Sequence, residues 1–84
     1  MIYTVFVEHE SSIRSFAKIA TTSYEKALAA YNDMVDYFSN YCSKGTNFSA
    51  RDWEMTGCTT FVACKVIKCD EHTHIIHFDK FEDD

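Results

Sequence analysis

The sequence predicts an α+β fold: a two-layer sandwich in which one long helix lies across a four-stranded antiparallel sheet, in the order β-β-α-β-β. Apolar side chains alternate with a period of two near both ends of the chain, as strands require, and they recur at helical spacing across the middle. A chain of 84 residues with two glycines and no proline offers no linker between domains. We therefore expect a single domain over residues 1–84.

The first element is a β-hairpin over residues 2–21. Tyr3, Val5 and Val7 share one face of the first strand, and apolar residues also occupy the other face, so both faces are expected to be covered. The polar residues 10–12 form the turn. Alternation resumes at Ile13, and a hairpin is the simplest way to join two adjacent strands.

A helix is predicted over residues 23–43. Thr22 and Glu25 have the spacing of a capping box, in which the hydroxyl and the carboxylate each accept a backbone N–H of the first turn. Gly45 can adopt the left-handed conformation that ends a helix. The residues at helical spacing that form its apolar stripe are Tyr24, Ala27, Leu28, Tyr31, Val35, Phe38 and Cys42.

Residues 44–57 have no clean period and are predicted to be irregular. Ser49 and Asp52 have capping spacing, which allows one helical turn over residues 50–55. Phe48, Trp53 and Met55 are too apolar for a free loop in so small a protein. They either fold over an open edge of the core or form an exposed contact patch.

A second hairpin is predicted over residues 58–81, with its turn at Asp70-Glu71 and an acidic end at 82–84. The turn fixes the register, and with it the face on which each side chain lies. The pairs expected beneath the helix, together with Ile76, are Ile67–His74, Ala63–Phe78 and Phe61–Lys80. The pairs expected on the opposite face are Val66–Ile75, Cys64–His77 and Val62–Asp79.

Charge limits the choice of partner. The chain has 13 acidic and 8 basic side chains, a net charge of −5, and the bases are scattered singly. Direct nucleic-acid binding is disfavoured because phosphate contacts supply most of that affinity. An acidic surface suits a partner with a basic surface. The alternative is a solvated surface that only keeps the protein soluble. The chain contains no apolar run of membrane-spanning length and no basic segment typical of a signal peptide, so a cytoplasmic location is expected.

The cysteines and histidines are the candidates for metal binding or catalysis. Without a signal peptide the four cysteines are expected to be reduced and mostly packed as small apolar groups. Cys69, His72 and His74 are candidate zinc ligands, but a structural site needs four. Cys64 and His77 face each other across the second hairpin, yet nucleophilic catalysis also needs a low-pKa thiolate and an oxyanion hole. We predict a protein that is not an enzyme and has no cofactor.

The aromatic residues outside the helical stripe are candidates for a binding surface. Tyr37 and Tyr41 lie off the stripe, and with Phe48 and Trp53 they could make an aromatic patch bordered by Asp33, Asp36 and Asp52. Interfaces favour such tyrosine and tryptophan anchors inside a polar rim. An outer tyrosine of a helix is also often simply half-buried, and that alternative stays open.

The segments IYTVFVEH, TTSYEKALAAYNDMVDYF, FVACKVIK and THIIHFDKFEDD together resemble the layout of small phage-encoded proteins. In these, a hairpin leads into an S-Y-x-x-A-L helix, followed by a second hairpin and an acidic end. Some anti-CRISPR proteins and related host-takeover inhibitors share this compact, acidic organisation. The resemblance implies an inhibitor, acting in the host cytoplasm, that occludes a basic nucleic-acid-binding surface. The acids to test for this role are Asp33, Asp36, Asp79, Glu82, Asp83 and Asp84.

Two other classes of protein remain. Exposed strand edges in a chain without proline allow a homodimeric accessory or structural protein. The residues Cys69, His72 and His74 allow a small zinc-binding protein. Oligomeric state and metal content separate these classes from the inhibitor.

Overall fold

The computed structural model describes residues 1–9, 12–44, 46–70 and 72–82, and for residues 12–18 it describes the backbone. It contains one helix and five strands, and the α+β class is as predicted. The strands pair antiparallel in the order β2-β1-β5-β4-β3. The elements are β1 (Ile2–His9), β2 (Ser12–Thr21), α1 (Tyr24–Ser43), β3 (Ser49–Asp52), β4 (Phe61–Cys69) and β5 (His72–Phe81).

The prediction of four strands is wrong because the segment 44–57 contributes a fifth. Ser49–Asp52 is strand β3, not part of a helical turn, and it pairs with the outer edge of β4. The pairing extends to Trp53, whose N–H donates to the Cys64 carbonyl at 3.0 Å. Asp52 also lies 3.2 Å from the Lys65 Nζ across the pair. The segment forms a strand because the backbone groups on the outer edge of β4 then gain hydrogen-bond partners, which a single helical turn would not supply.

The register of the β4–β5 hairpin is confirmed over most of its length. Ile67 pairs with His74, and Cys64 pairs with His77, as the Asp70-Glu71 turn predicts. The prediction fails near Phe61, which pairs with Asp79 instead of Lys80. A shift between Phe61 and Ala63 inserts an extra residue there, and the Lys80 N–H then donates to the Thr60 carbonyl at 2.8 Å.

The helix begins one residue later than predicted. Ser23, not Thr22, is the N-cap: its hydroxyl accepts from the Lys26 N–H at 3.3 Å. The Thr21 hydroxyl accepts from the Ser23 N–H at 3.1 Å and holds the cap in place. The residues on either side of Thr22 therefore cap the helix, and the predicted capping box of Thr22 and Glu25 is wrong. Three predicted features lie outside the described residues: the helix end at Gly45, the first turn at Glu10 and Ser11, and Glu71 in the second turn.

The core lies between the helix and one face of the sheet. Its largest fully buried side chains include Val5, Ile67, Ile76 and Phe78. Ala27, Tyr31 and Cys42 cover them from the helix, while Tyr24 and Leu28 of the predicted stripe are more exposed. Alternation along β1, β4 and β5 places these four side chains on the side of the sheet that faces the helix. The described part of the chain contains no helix that is both long and apolar enough to cross a membrane.

Candidate binding cleft

A cleft of about 610 Å³ lies between the second half of α1 and the neighbouring ends of β1 and β5. The helix contributes Asp33, Tyr37 and Tyr41, which are four residues apart and therefore share one face. Met34 and Phe38 form the next row of that face. The strands contribute His9, His72 and His74.

The three histidines are brought together by strand pairing. His9 is in phase with Val5 and Val7 on the helix side of β1, and it pairs directly with His74. The ring centroids of His9 and His74 are 4.8 Å apart, and those of His9 and His72 are 5.6 Å apart. The sequence reasoning missed His9, although its position in the alternation of β1 was sufficient to place it on this face.

His74 forms the floor of the cleft. Its side chain is buried, with 4% exposed, against Phe38 at a centroid distance of 4.5 Å and Tyr41 at 5.9 Å. Neither Nδ1 nor Nε2 has a hydrogen-bond partner among the described residues. Burial lowers the pKa of His74, and the neighbouring His9 and His72 lower it further. The ring is therefore neutral at pH 7, with one donor and one acceptor nitrogen unused.

The structure divides the predicted contact residues between two faces of the molecule. Asp33, Tyr37 and Tyr41 meet at the cleft, with Tyr37 65% and Tyr41 55% exposed. Asp36 is exposed on α1 but does not line the cleft. Phe48 is exposed just before β3, away from both tyrosines in the chain, and it does not line the cleft either.

Trp53 lies on the sheet face opposite the helix. It lines a second cleft of about 330 Å³ whose floor includes Cys64, Val66 and Thr73. Because residues in this phase point away from Ile67 and His74, Trp53 does not join the tyrosines in one patch. Phe48, Trp53 and Met55 are all exposed, and none of them belongs to the core beneath the helix.

The C-terminal acids are placed unequally. Asp79 is half-buried near His77, and its burial raises the pKa of the carboxyl, an effect that His77 partly offsets. Glu82 is exposed. Asp83 and Asp84 lie outside the described residues. Asp79 is therefore a poorer candidate for an electrostatic contact than Asp33 or Asp36.

The candidate zinc ligands do not form a centre. Cys69 is buried in the core, where its thiol hydrogen bonds with that of Cys42. His72 and His74 instead face His9. In the part of the chain that the structure describes, no three His, Cys, Asp or Glu side chains are arranged to hold a metal ion.

The Cys64–His77 pair is not arranged as an activated nucleophile. The His77 ring stacks on Phe6 at 4.6 Å, and its Nε2 lies 3.4 Å from the Glu8 Oε2. Cys64 is buried, and burial, followed by the charges of Asp79 and Glu8, raises the pKa of its thiol to about 11. The thiol is protonated at neutral pH, whereas a catalytic cysteine acts as the thiolate.

No protein-family model matches this chain, and no curated protein matches it significantly.

Proposed function

We propose that this protein is a non-enzymatic inhibitor that binds another protein through the cleft and the outer face of α1 beside it. The proposed target is a basic surface with which the partner normally holds nucleic acid. The observation that carries the proposal is the exposure of Tyr37 and Tyr41, 65% and 55%, at the mouth of a cleft on a helix that presents carboxylates. Large aromatic side chains in such a position are typical anchors of an interface.

The charge of the helix supports a basic partner. Between Ala27 and Ser43 the helix carries Asp33 and Asp36 but no Lys, Arg or His. The whole chain has a net charge of −5. A surface that carries only negative charge raises the rate of association with a positively charged surface, and it disfavours partners that are also negatively charged.

The two tyrosines supply the affinity that surface charge alone does not. Exposed ion pairs are each worth about 0–1 kcal/mol. An aromatic anchor that becomes buried at the centre of an interface commonly costs about 2 kcal/mol or more when it is truncated, which is roughly a 30-fold loss of affinity. Aspartates would therefore guide association, and Tyr37 and Tyr41 would hold the complex.

The resemblance to anti-CRISPR proteins suggests the source of the protein, the compartment in which it acts and the kind of partner that it binds. In that reading the chain is phage-encoded, acts in the host cytoplasm and occludes the nucleic-acid-binding surface of a defence complex. Steric occlusion needs no catalytic group, which agrees with the protonated thiol of Cys64.

The test compares faces of the same protein. Capture from a bacterial lysate is carried out with the wild type, a Tyr37→Ala/Tyr41→Ala variant and a Trp53→Ala variant. Trp53 is the control because it is also exposed, at 48%, but on the opposite face. We expect one nucleic-acid-binding protein to be retained by the wild type and Trp53→Ala and lost from the double variant. The purified partner should lose nucleic-acid binding when the inhibitor is added. Retention by the double variant, or undiminished nucleic-acid binding in the complex, would contradict the proposal.

A homodimeric accessory protein is the second candidate, and the sheet edge favours it. Strand β2 has ten residues and is at one edge of the sheet, where none of the described strands pairs with its outer side. Such an edge can pair with a second copy. Light scattering that gives the mass of a dimer, unaffected by Tyr37→Ala/Tyr41→Ala, would favour this candidate.

A further inference from the structure

The chemistry of the cleft is more specific than a general acidic surface. Among the described residues it combines aromatic faces, a carboxylate and a neutral imidazole: Tyr37, Phe38 and Tyr41 on one side, Asp33 at the helix, and His74 at the floor. In the part of the chain that the structure describes, no Lys or Arg lines the cleft. Aromatic rings beside a carboxylate are the surroundings in which proteins hold an organic cation.

We propose that the cleft receives a single arginine side chain of the partner, with the guanidinium against the tyrosine rings and paired with Asp33. This inference rests on the proposed function, since it names the group by which the basic partner is recognised. A nucleic-acid-binding surface is rich in the arginines that would otherwise contact phosphate.

Two features favour arginine over lysine. The guanidinium is planar and weakly hydrated, so it stacks on aromatic faces, whereas the ammonium of lysine is a compact and strongly hydrated charge. The guanidinium also has five N–H donors and no acceptor. Several of these donors can bond to the Asp33 carboxylate, which lines the same cleft.

The size of the cleft fits a side chain together with its neighbours. A volume of about 610 Å³ is within the range of roughly 300–1,000 Å³ that small-molecule sites occupy. It is larger than one arginine requires. The flanking residues of the partner are therefore expected to fill the rest of the cleft.

The groups around His74 predict the effect of pH on this contact. His9 faces it from β1, His72 from β5, and Asp33 and Tyr41 line the same cleft from α1. As the pH falls below the lowered pKa of His74, its imidazole takes up a proton, and the cleft loses its attraction for a cation. Binding of arginine should therefore weaken toward acid pH, whereas a simple ion pair with Asp33 would persist until the carboxylate is protonated.

The test uses three short neutral-capped peptides, Gly-Gly-Arg-Gly-Gly and its lysine and citrulline versions, titrated into the full chain and followed by NMR. Citrulline keeps the shape of arginine without its charge. We expect saturable shifts at cleft residues with the arginine peptide, and an affinity at least about fivefold weaker for the citrulline peptide and for Asp33→Asn, a loss of roughly 1 kcal/mol. The Trp53→Ala variant serves as the control with an intact cleft.

The outcomes separate this inference from the proposed function. Equal shifts with citrulline, equal or tighter binding of lysine, or shifts centred on the Trp53 face would overturn the arginine assignment, even if lysate capture depends on the tyrosines. Arginine binding that is lost in Asp33→Asn supports the inference, and it does so whether or not an inhibited partner is captured.

Discussion

Replacing Phe78 by alanine is the most demanding test of the packing that positions the cleft. The ring is fully buried, and three tyrosine rings surround it: Tyr3 at a centroid distance of 6.2 Å, Tyr24 at 5.7 Å and Tyr31 at 5.7 Å. Truncation removes the buried apolar surface and leaves a cavity beneath the helix. For Phe→Ala in a core these two effects together cost about 3–5 kcal/mol.

That loss is large relative to the stability of the whole chain. An 84-residue domain has a free energy of unfolding of roughly 4–13 kcal/mol at the usual value per residue. Phe81→Ala is the matched control, because Phe81 lies on the same strand and is 45% exposed. We expect it to cost less than about 1 kcal/mol.

Urea denaturation followed by far-UV circular dichroism measures both variants. The expected difference between them is about 3 kcal/mol, or for Phe78→Ala a chain that is already unfolded without denaturant. If the two variants lose similar free energies of unfolding, Phe78 is not the centre of the core, and the placement of the helix over the sheet is wrong.

Three further predictions concern titratable groups. Cys58 is exposed, and its hydrogen bond with Thr60 lowers the pKa of its thiol. A thiol reagent should therefore modify Cys58 first and Cys64 far more slowly in the folded state, and similar rates would contradict the burial of Cys64. Burial raises the pKa of Asp79 above its ordinary value of 3.8, so the ionised carboxylate destabilises the folded state above that pH. Asp79→Asn should therefore raise the melting temperature at pH 7, and a lower melting temperature would refute this prediction. Because the pKa of His74 is lowered from 6.5 in the folded state, the unfolded state binds the proton more readily. The free energy of unfolding should therefore fall as the pH drops below about 6.5, and it should fall less steeply in His74→Phe. Equal slopes in the two proteins would show that His74 is not the source of the pH dependence.

The elements with strong local patterns could be predicted from the sequence. Alternation in β1 and the helical stripe of α1 identified both, and the position of the second turn fixed the pairing of Ile67 with His74. Strand β3 could not be predicted in this way. It has only four residues, all exposed, and it forms because the edge of β4 supplies backbone partners that are distant in sequence.

The cleft was predictable in part. Helical spacing brings Asp33, Tyr37 and Tyr41 to one face, and this much follows from the sequence. The sequence does not show that β1 pairs with β5, and without that pairing His9 and His74 have no reason to meet. Trp53 shows the opposite case: its size and exposure suggested a common surface with the tyrosines, but the fold of the chain places it on the other face of the sheet.

The most direct test of a partner at the cleft is site-specific photo-crosslinking. Benzoylphenylalanine is introduced at position 37 in one protein and at position 53 in another, and each is irradiated in the presence of the captured partner. We predict a cross-link from position 37 to a basic, arginine-containing segment of the partner, identified by mass spectrometry, and little from position 53. A cross-link from position 53 in preference to position 37 would contradict the assignment of the tyrosine-bearing cleft as the binding site.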